Sequence, residues 1–108
     1  MPIVILPDAQ DDIKALRRYM IMKWSLAMWM DAKHEIFAKF QAIQSGKLNG
    51  FQIPQLSSLG IDTYQQTLTS HHRIVYEKDR KNLVVYMVAG QQQDFKSLLI
   101  RRVLNRAI

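Results

Sequence analysis

The sequence predicts an α+β layer fold in the order β-α-α-β-β-β-α: an antiparallel sheet packed by an N-terminal helical hairpin, with a C-terminal helix. Three observations predict it. Apolar residues recur at three- and four-residue steps between positions 13 and 43. The pattern then changes to β-type runs over positions 63–89. A helical stripe returns after Gly90. With 108 residues the chain is read as a single domain, 1–108, able to bury a core with a thin margin.

Ile3, Val4, Ile5 and Leu6 form a short, β-branched run between Pro2 and Pro7, which reads as a strand. Pro7 and Asp8 then open a helix, with Asp8 as the expected N-cap. Asp11 and Asp12 follow in the first turn, where the helix dipole favours carboxylates. Ile13, Leu16, Met20 and Trp24 mark its buried stripe. Ser25 can cap a second helix whose inner face is Trp29, Ala32, Ile36, Phe40 and Ile43. Gly46 is placed to end it at C′. At helical spacing these Met and Trp residues read as core rather than as a ligand pocket.

Positions 46–62 carry Gly46, Gly50, Pro54 and Gly60 and read as a loop with a short strand near Phe51 to Ile53. Thr63–Thr69, His72–Glu77 and Leu83–Ala89 read as three strands, the last two joined by a polar turn over Lys78–Asn82. Ile74 and Tyr76 alternate with Arg73, Val75 and Glu77, so one set is expected to face the core. The run Leu83–Val88 is apolar almost throughout, as in a central strand covered on both sides. Asp94 can cap the last helix, with Phe95, Leu98, Leu99 and Val103 turned inward and Lys96, Arg101, Arg102 and Arg106 over much of the rest.

Charge and composition narrow the function. The formal net charge is +6. Residues 71–108 hold eight basic side chains against three acidic ones, so most of that excess lies in the C-terminal part. Such a field attracts polyanions or an acidic protein segment. The chain has no cysteine, which removes disulfides, thiolate metal sites and cysteine nucleophiles. No phosphate loop or nucleophile elbow is present, and no cofactor motif is read. His71 and His72, as strand neighbours, are expected to point to opposite faces, and no metal site is assigned. The longest apolar stretch, Met20–Met30, is interrupted by Lys23 and Ser25 and is too short to span a bilayer. With no signal-peptide pattern at the start, the chain is expected to be cytoplasmic and to have no membrane partner.

The opening VILPDAQDDIKALRRYM, with Ala9, Asp12 and Ile13, resembles the first strand and helix of the RelE/ParE toxin superfamily. SHHRIVYEKDRKNLVVYMV resembles its central hairpin, where a basic residue precedes an aliphatic-aliphatic-aromatic run, here Arg73, Ile74, Val75 and Tyr76. QDFKSLLIRRVLNR resembles the short terminal helix of ParE-type members. The resemblance covers nearly the whole chain. After the last long strand, the family's histidine, arginine and aspartate fall on Gly90, Gln92 and Asp94, so only the aspartate is kept.

The resemblance implies a toxin of a type II toxin–antitoxin system, of the plasmid-stabilization kind. It would be neutralised in a hetero-oligomer by an antitoxin with an acidic, amphipathic tail. ParE-type members bind DNA gyrase and need a docking surface rather than catalysis. Arg73, Arg80, Lys81, Arg101, Arg102 and Arg106 are the candidate contacts for target or antitoxin. RelE-type members cut messenger RNA on the ribosome. On that alternative His71, His72 and Arg73 would be the site, but no tyrosine or histidine follows Tyr86 to complete an acid/base set. A non-toxic nucleic-acid-binding or decayed toxin domain is the third reading. The gyrase inhibitor, not an enzyme, is the favoured one.

Overall fold

The computed structural model describes the backbone of residues 1–107 and the side chains through Val103. The element order is β1 (Ile3–Ile5), α1 (Pro7–Lys23), α2 (Leu26–Gln44), β2 (Phe51–Gln52), α3 (Pro54–Ser57), β3 (Gln65–Leu68), β4 (His72–Lys78), β5 (Leu83–Gly90) and α4 (Phe95–Ala107). The strands form one sheet in the order β1-β5-β4-β3-β2. From β2 to β5 the neighbours are antiparallel, as expected. β1 departs from that expectation and makes the sheet mixed, because Ile3, Val4 and Ile5 pair in parallel with Leu83, Val84 and Val85. Two helices separate β1 from the rest of the sheet, and a four-residue apolar run carries no signal for its direction. Both edge strands are short, which limits the exposed backbone they offer.

Local chemistry explains most element ends. α1 is not capped by Asp8: Leu6 is the N-cap, makes no side-chain cap, and Pro7 takes the first helical position. Proline suits that place because its φ is already helical and the N–H it lacks would have been unpaired. Because the helix starts at Pro7, Asp8 is the acidic residue of its first turn, and Asp11 and Asp12 lie beyond it, Asp12 accepting from the sheet at Val88. Ser25 caps α2 as expected, its hydroxyl accepting from the Met28 N–H at 3.1 Å. Gly46, at φ 77°, follows the last cap of α2 in the left-handed region that favours glycine. The Lys78–Asn82 turn is held by Asp79, whose carboxylate accepts from the N–H groups of Lys81 and Asn82. These two bonds hold the Asp79 pKa below its ordinary value.

The sheet is covered on both faces. On one side α1 and α2 bring Leu16, Met20, Trp29, Ile36 and Phe40 against Ile74, Tyr76, Leu83, Val85 and Val88. On the other, α4 and the β2–α3 segment bring Phe95, Leu99, Ile53 and Leu56 against Val75, Met87 and Ala89. Val75 is therefore buried, not turned outward, because α4 and α3 give the second face a core of its own. A register shift between Val75 and Tyr76 leaves Tyr86 unopposed: Tyr76 pairs with Val85 and Val75 with Met87. One extra residue reverses side-chain parity. Leu83 and Val85 thus face the hairpin helices, whereas Met87 and Ala89 face α4.

Trp24 is the other correction in the core. The helical stripe places it inside, but it terminates α1 and is 47% exposed. The helix ends one residue before it, so it leaves the buried face.

Candidate functional site

The basic residues expected to form a docking surface are dispersed. Arg73 stands near the start of β4 and faces α4. Its guanidinium lies 4.3 Å from the centre of the Phe95 ring and its Nη1 donates to Gln66 Oε1 at 2.8 Å. Arg80 and Lys81 are exposed in the turn beyond the far end of β4, about 20 Å along the strand from Arg73. Arg101 is exposed on α4. The side chain of Arg106 lies outside the described residues.

Arg102 is committed internally. Its Nη2 donates to Asp12 Oδ1 at 3.0 Å, while Nη1 donates to Asp12 Oδ2 at 3.1 Å and to the Tyr86 carbonyl at 2.9 Å. Asp8 lies 3.8 Å from its Nε. The hydrogen bonds that Arg102 donates to Asp12, more than the cost of burial, set the balance and raise the Arg102 pKa. The second Asp12 oxygen also accepts from the Val88 N–H at 3.0 Å. β1 stops at Ile5, so among the described residues no strand pairs with the edge of β5 beyond Val85. Asp12 and Arg102 satisfy that edge in place of a strand.

His71 and His72 do not take opposite faces. β4 begins at His72, so His71 belongs to the preceding bend and escapes strand alternation. Both rings lie on the α1 side, with centroids 6.3 Å apart, and Arg73 points the other way. His72 is buried, and desolvation, followed by the charge of His71, depresses its pKa. The three residues named for a nuclease are thus split between the two faces of the sheet. Among the described residues, no three His, Asp or Glu side chains cluster to hold a metal ion.

The histidines line a cleft of about 620 Å³ between the C-terminal half of α1 and the ends of β4 and β5. Its floor includes Leu16, Met20 and Val88, and its rim includes Tyr19, Lys23, Trp24 and Gln91–Gln93. Lys23 donates to the Tyr19 hydroxyl at 2.9 Å, with its ammonium 5.2 Å from the Trp24 ring centre. Trp24 meets His71 at 5.8 Å between centroids. Helical spacing assigns Trp24 to the core, so the stripe alone gives no sign of this cleft. The signal in the sequence was the pairing of Lys23 and Trp24 immediately before the Ser25 cap, where α1 must end.

No described helix is long and apolar enough to cross a membrane. A search of curated proteins finds no match to this chain. A family model described as the ParE toxin of the type II toxin–antitoxin system, parDE, matches residues 3–95. That span runs from the first strand through the capped start of α4, and so this chain belongs to the ParE toxin family of type II toxin–antitoxin systems.

Proposed function

We propose that this toxin inhibits DNA gyrase by protein binding and is neutralised in the cytoplasm by a cognate antitoxin with an acidic, amphipathic tail. Membership of the family implies the antitoxin. The net charge of +6 suits an acidic partner. The helical hairpin also leaves Met22 87% and Leu26 55% exposed, apolar surface that a folding-on-binding segment could cover.

One observation carries the choice of a binding inhibitor over a nuclease. Arg73 is stacked beneath α4 on Phe95, and the histidines are on the far side of the sheet. Phosphodiester cleavage through a 2′-hydroxyl needs a base, an acid and a cation around one phosphate. On the α4 side the groups able to transfer a proton include Glu77 and Tyr86, which are hydrogen-bonded to each other at 2.8 Å. Glu77 is about 13 Å along β4 from Arg73, too far to share a phosphate with it. A docking surface has no such requirement. Arg80, Lys81 and Arg101, all exposed, are the contacts proposed for gyrase or antitoxin.

Induced expression without antitoxin tests this reading. Trapped gyrase–DNA complexes and a DNA-damage response, with messenger left intact, are expected. Messenger cut in the ribosomal A site with normal supercoiling would replace the proposal with the nuclease. No growth defect at all would favour a decayed toxin domain.

A further inference from the structure

The cleft between α1 and the β4–β5 ends has no part in that reading. It has the size of a small-ligand site, in the range of about 300–1,000 Å³. Its walls are unusual for a packing defect. Trp24 is about half open, and its ring lies against His71 on one side and Lys23 on another. Gln91, Gln92 and Gln93 stand at the opposite rim; Gln91 Nε2 donates to the Thr69 carbonyl and Gln93 Oε1 accepts from the Gly90 N–H, which leaves Gln91 Oε1 and Gln93 Nε2 for a ligand. His72 is 2% exposed, lines the same cleft, and has an Nδ1 with no hydrogen-bond partner.

The geometry points to this cleft as a binding site for one unpaired nucleotide, with the base stacked on Trp24, its polar edge meeting His72 and the glutamine amides, and its phosphate on Lys23. Aromatic rings with amide donors and acceptors recognise nucleobases by stacking and edge hydrogen bonds. Burial lowers the His72 pKa and so favours the neutral ring, which has one donor and one acceptor nitrogen. The charge count also fits one nucleotide. Among the described residues Lys23 is the one lysine or arginine that lines the cleft, and the carboxylate that reaches it, Asp12, is already neutralised by Arg102. A strongly acidic peptide would need several cations along its length, and this cleft offers one.

Trp29 is buried, so quenching of tryptophan fluorescence by a nucleotide reports chiefly on Trp24. The test uses the full chain with an oligothymidylate about eight nucleotides long, thymidine monophosphate and oligoglutamate. Binding is also followed by the anisotropy of a labelled oligonucleotide. Saturable quenching by the oligonucleotide is expected, and Lys23→Gln and Trp24→Leu should each weaken binding by about tenfold. Lys33→Gln and Lys47→Gln, exposed and away from the cleft, should leave it within about twofold. Retained melting temperature shows that the cleft variants are folded. Equal affinity for the monophosphate would identify the ligand as a free nucleotide, and tighter binding of the oligonucleotide a single strand; both support the site. Equal losses in the three lysine variants, with Trp24→Leu unchanged, would reduce binding to diffuse charge attraction and overturn the proposal. Quenching by oligoglutamate that Lys23→Gln abolishes, with none by either nucleotide probe, would assign the cleft to a peptide and overturn the proposal.

Discussion

Asp12 of α1 and Arg102 of α4, 90 residues apart in the chain, form a two-bond ion pair at the point where β5 loses its neighbour. Asp12 takes the Val88 N–H and Arg102 takes the Tyr86 carbonyl, one on each side of Met87. The pair therefore closes a sheet edge and joins the two helices that lie on opposite faces of the sheet. Tyr86 is also the residue that the register shift skips, so the fastening sits at the irregularity in the ladder.

Removing one partner strands the other beside the backbone. The two side chains are each about one-fifth exposed, so the pair is partly screened. Arg102→Met is expected to lower stability by about 1–3 kcal/mol, measured by urea unfolding. Asp12→Asn should cost a similar amount. The double variant should cost clearly less than the sum, because neither charge is then left alone. Additive losses would mean that the two groups act independently.

Gly50 is needed for space rather than for an unusual backbone angle. Its N–H donates to the Tyr76 hydroxyl at 2.8 Å. A Cβ there would collide with that hydroxyl and approach the Gln66 carbonyl to 2.7 Å. Gly50→Ala is expected to destabilise the fold by about 1–3 kcal/mol. Gly50→Ala combined with Tyr76→Phe should recover part of the loss in a thermal melt, since the hydroxyl is the nearest obstacle.

The Ser25 cap gives a smaller and cleaner effect. Ser25→Ala removes the acceptor for Met28 N–H and should cost about 1 kcal/mol, whereas Ser25→Asp should keep most of the stability. Chemical denaturation of the two variants distinguishes capping from simple side-chain removal.

His72 makes stability depend on pH. Its folded-state pKa lies below the ordinary 6.5, chiefly through desolvation. The unfolded chain therefore takes up the proton first as the pH falls. The histidine's contribution is complete above about pH 7 and declines as the pH drops through 6.5 toward the folded value. Glu35, lowered from 4.5 by the Ser70 N–H and then the Ser70 hydroxyl, loses its contribution only at lower pH. His72→Gln should flatten the melting temperature between about pH 7 and pH 5. An unchanged slope would place the dependence elsewhere.

Much of the fold was legible because its signals are local. Ser25, Gly46, Asp79 and Asp94 each act within a few residues of themselves, and the structure uses each as its chemistry suggests. The inner faces of α2 and α4 followed from spacing alone. What escaped depends on distant partners. The parallel pairing of β1, the bulge at Tyr86 and the commitment of Arg102 to Asp12 are settled by elements far away in the chain. In sequence an arginine on a helix looks the same whether it meets solvent or, as Arg102 does, a carboxylate 90 positions earlier. His71 and His72 were separated by strand alternation, yet the strand begins between them.

The central proposal is that this toxin acts on gyrase by binding. Its most direct measurement is a plasmid supercoiling and cleavage assay with purified gyrase and the purified chain. Increasing toxin should suppress supercoiling and accumulate linear plasmid after detergent release, and Arg80→Gln with Arg101→Gln should shift that response to higher toxin concentration. Full supercoiling activity and intact circles at excess folded toxin would contradict it.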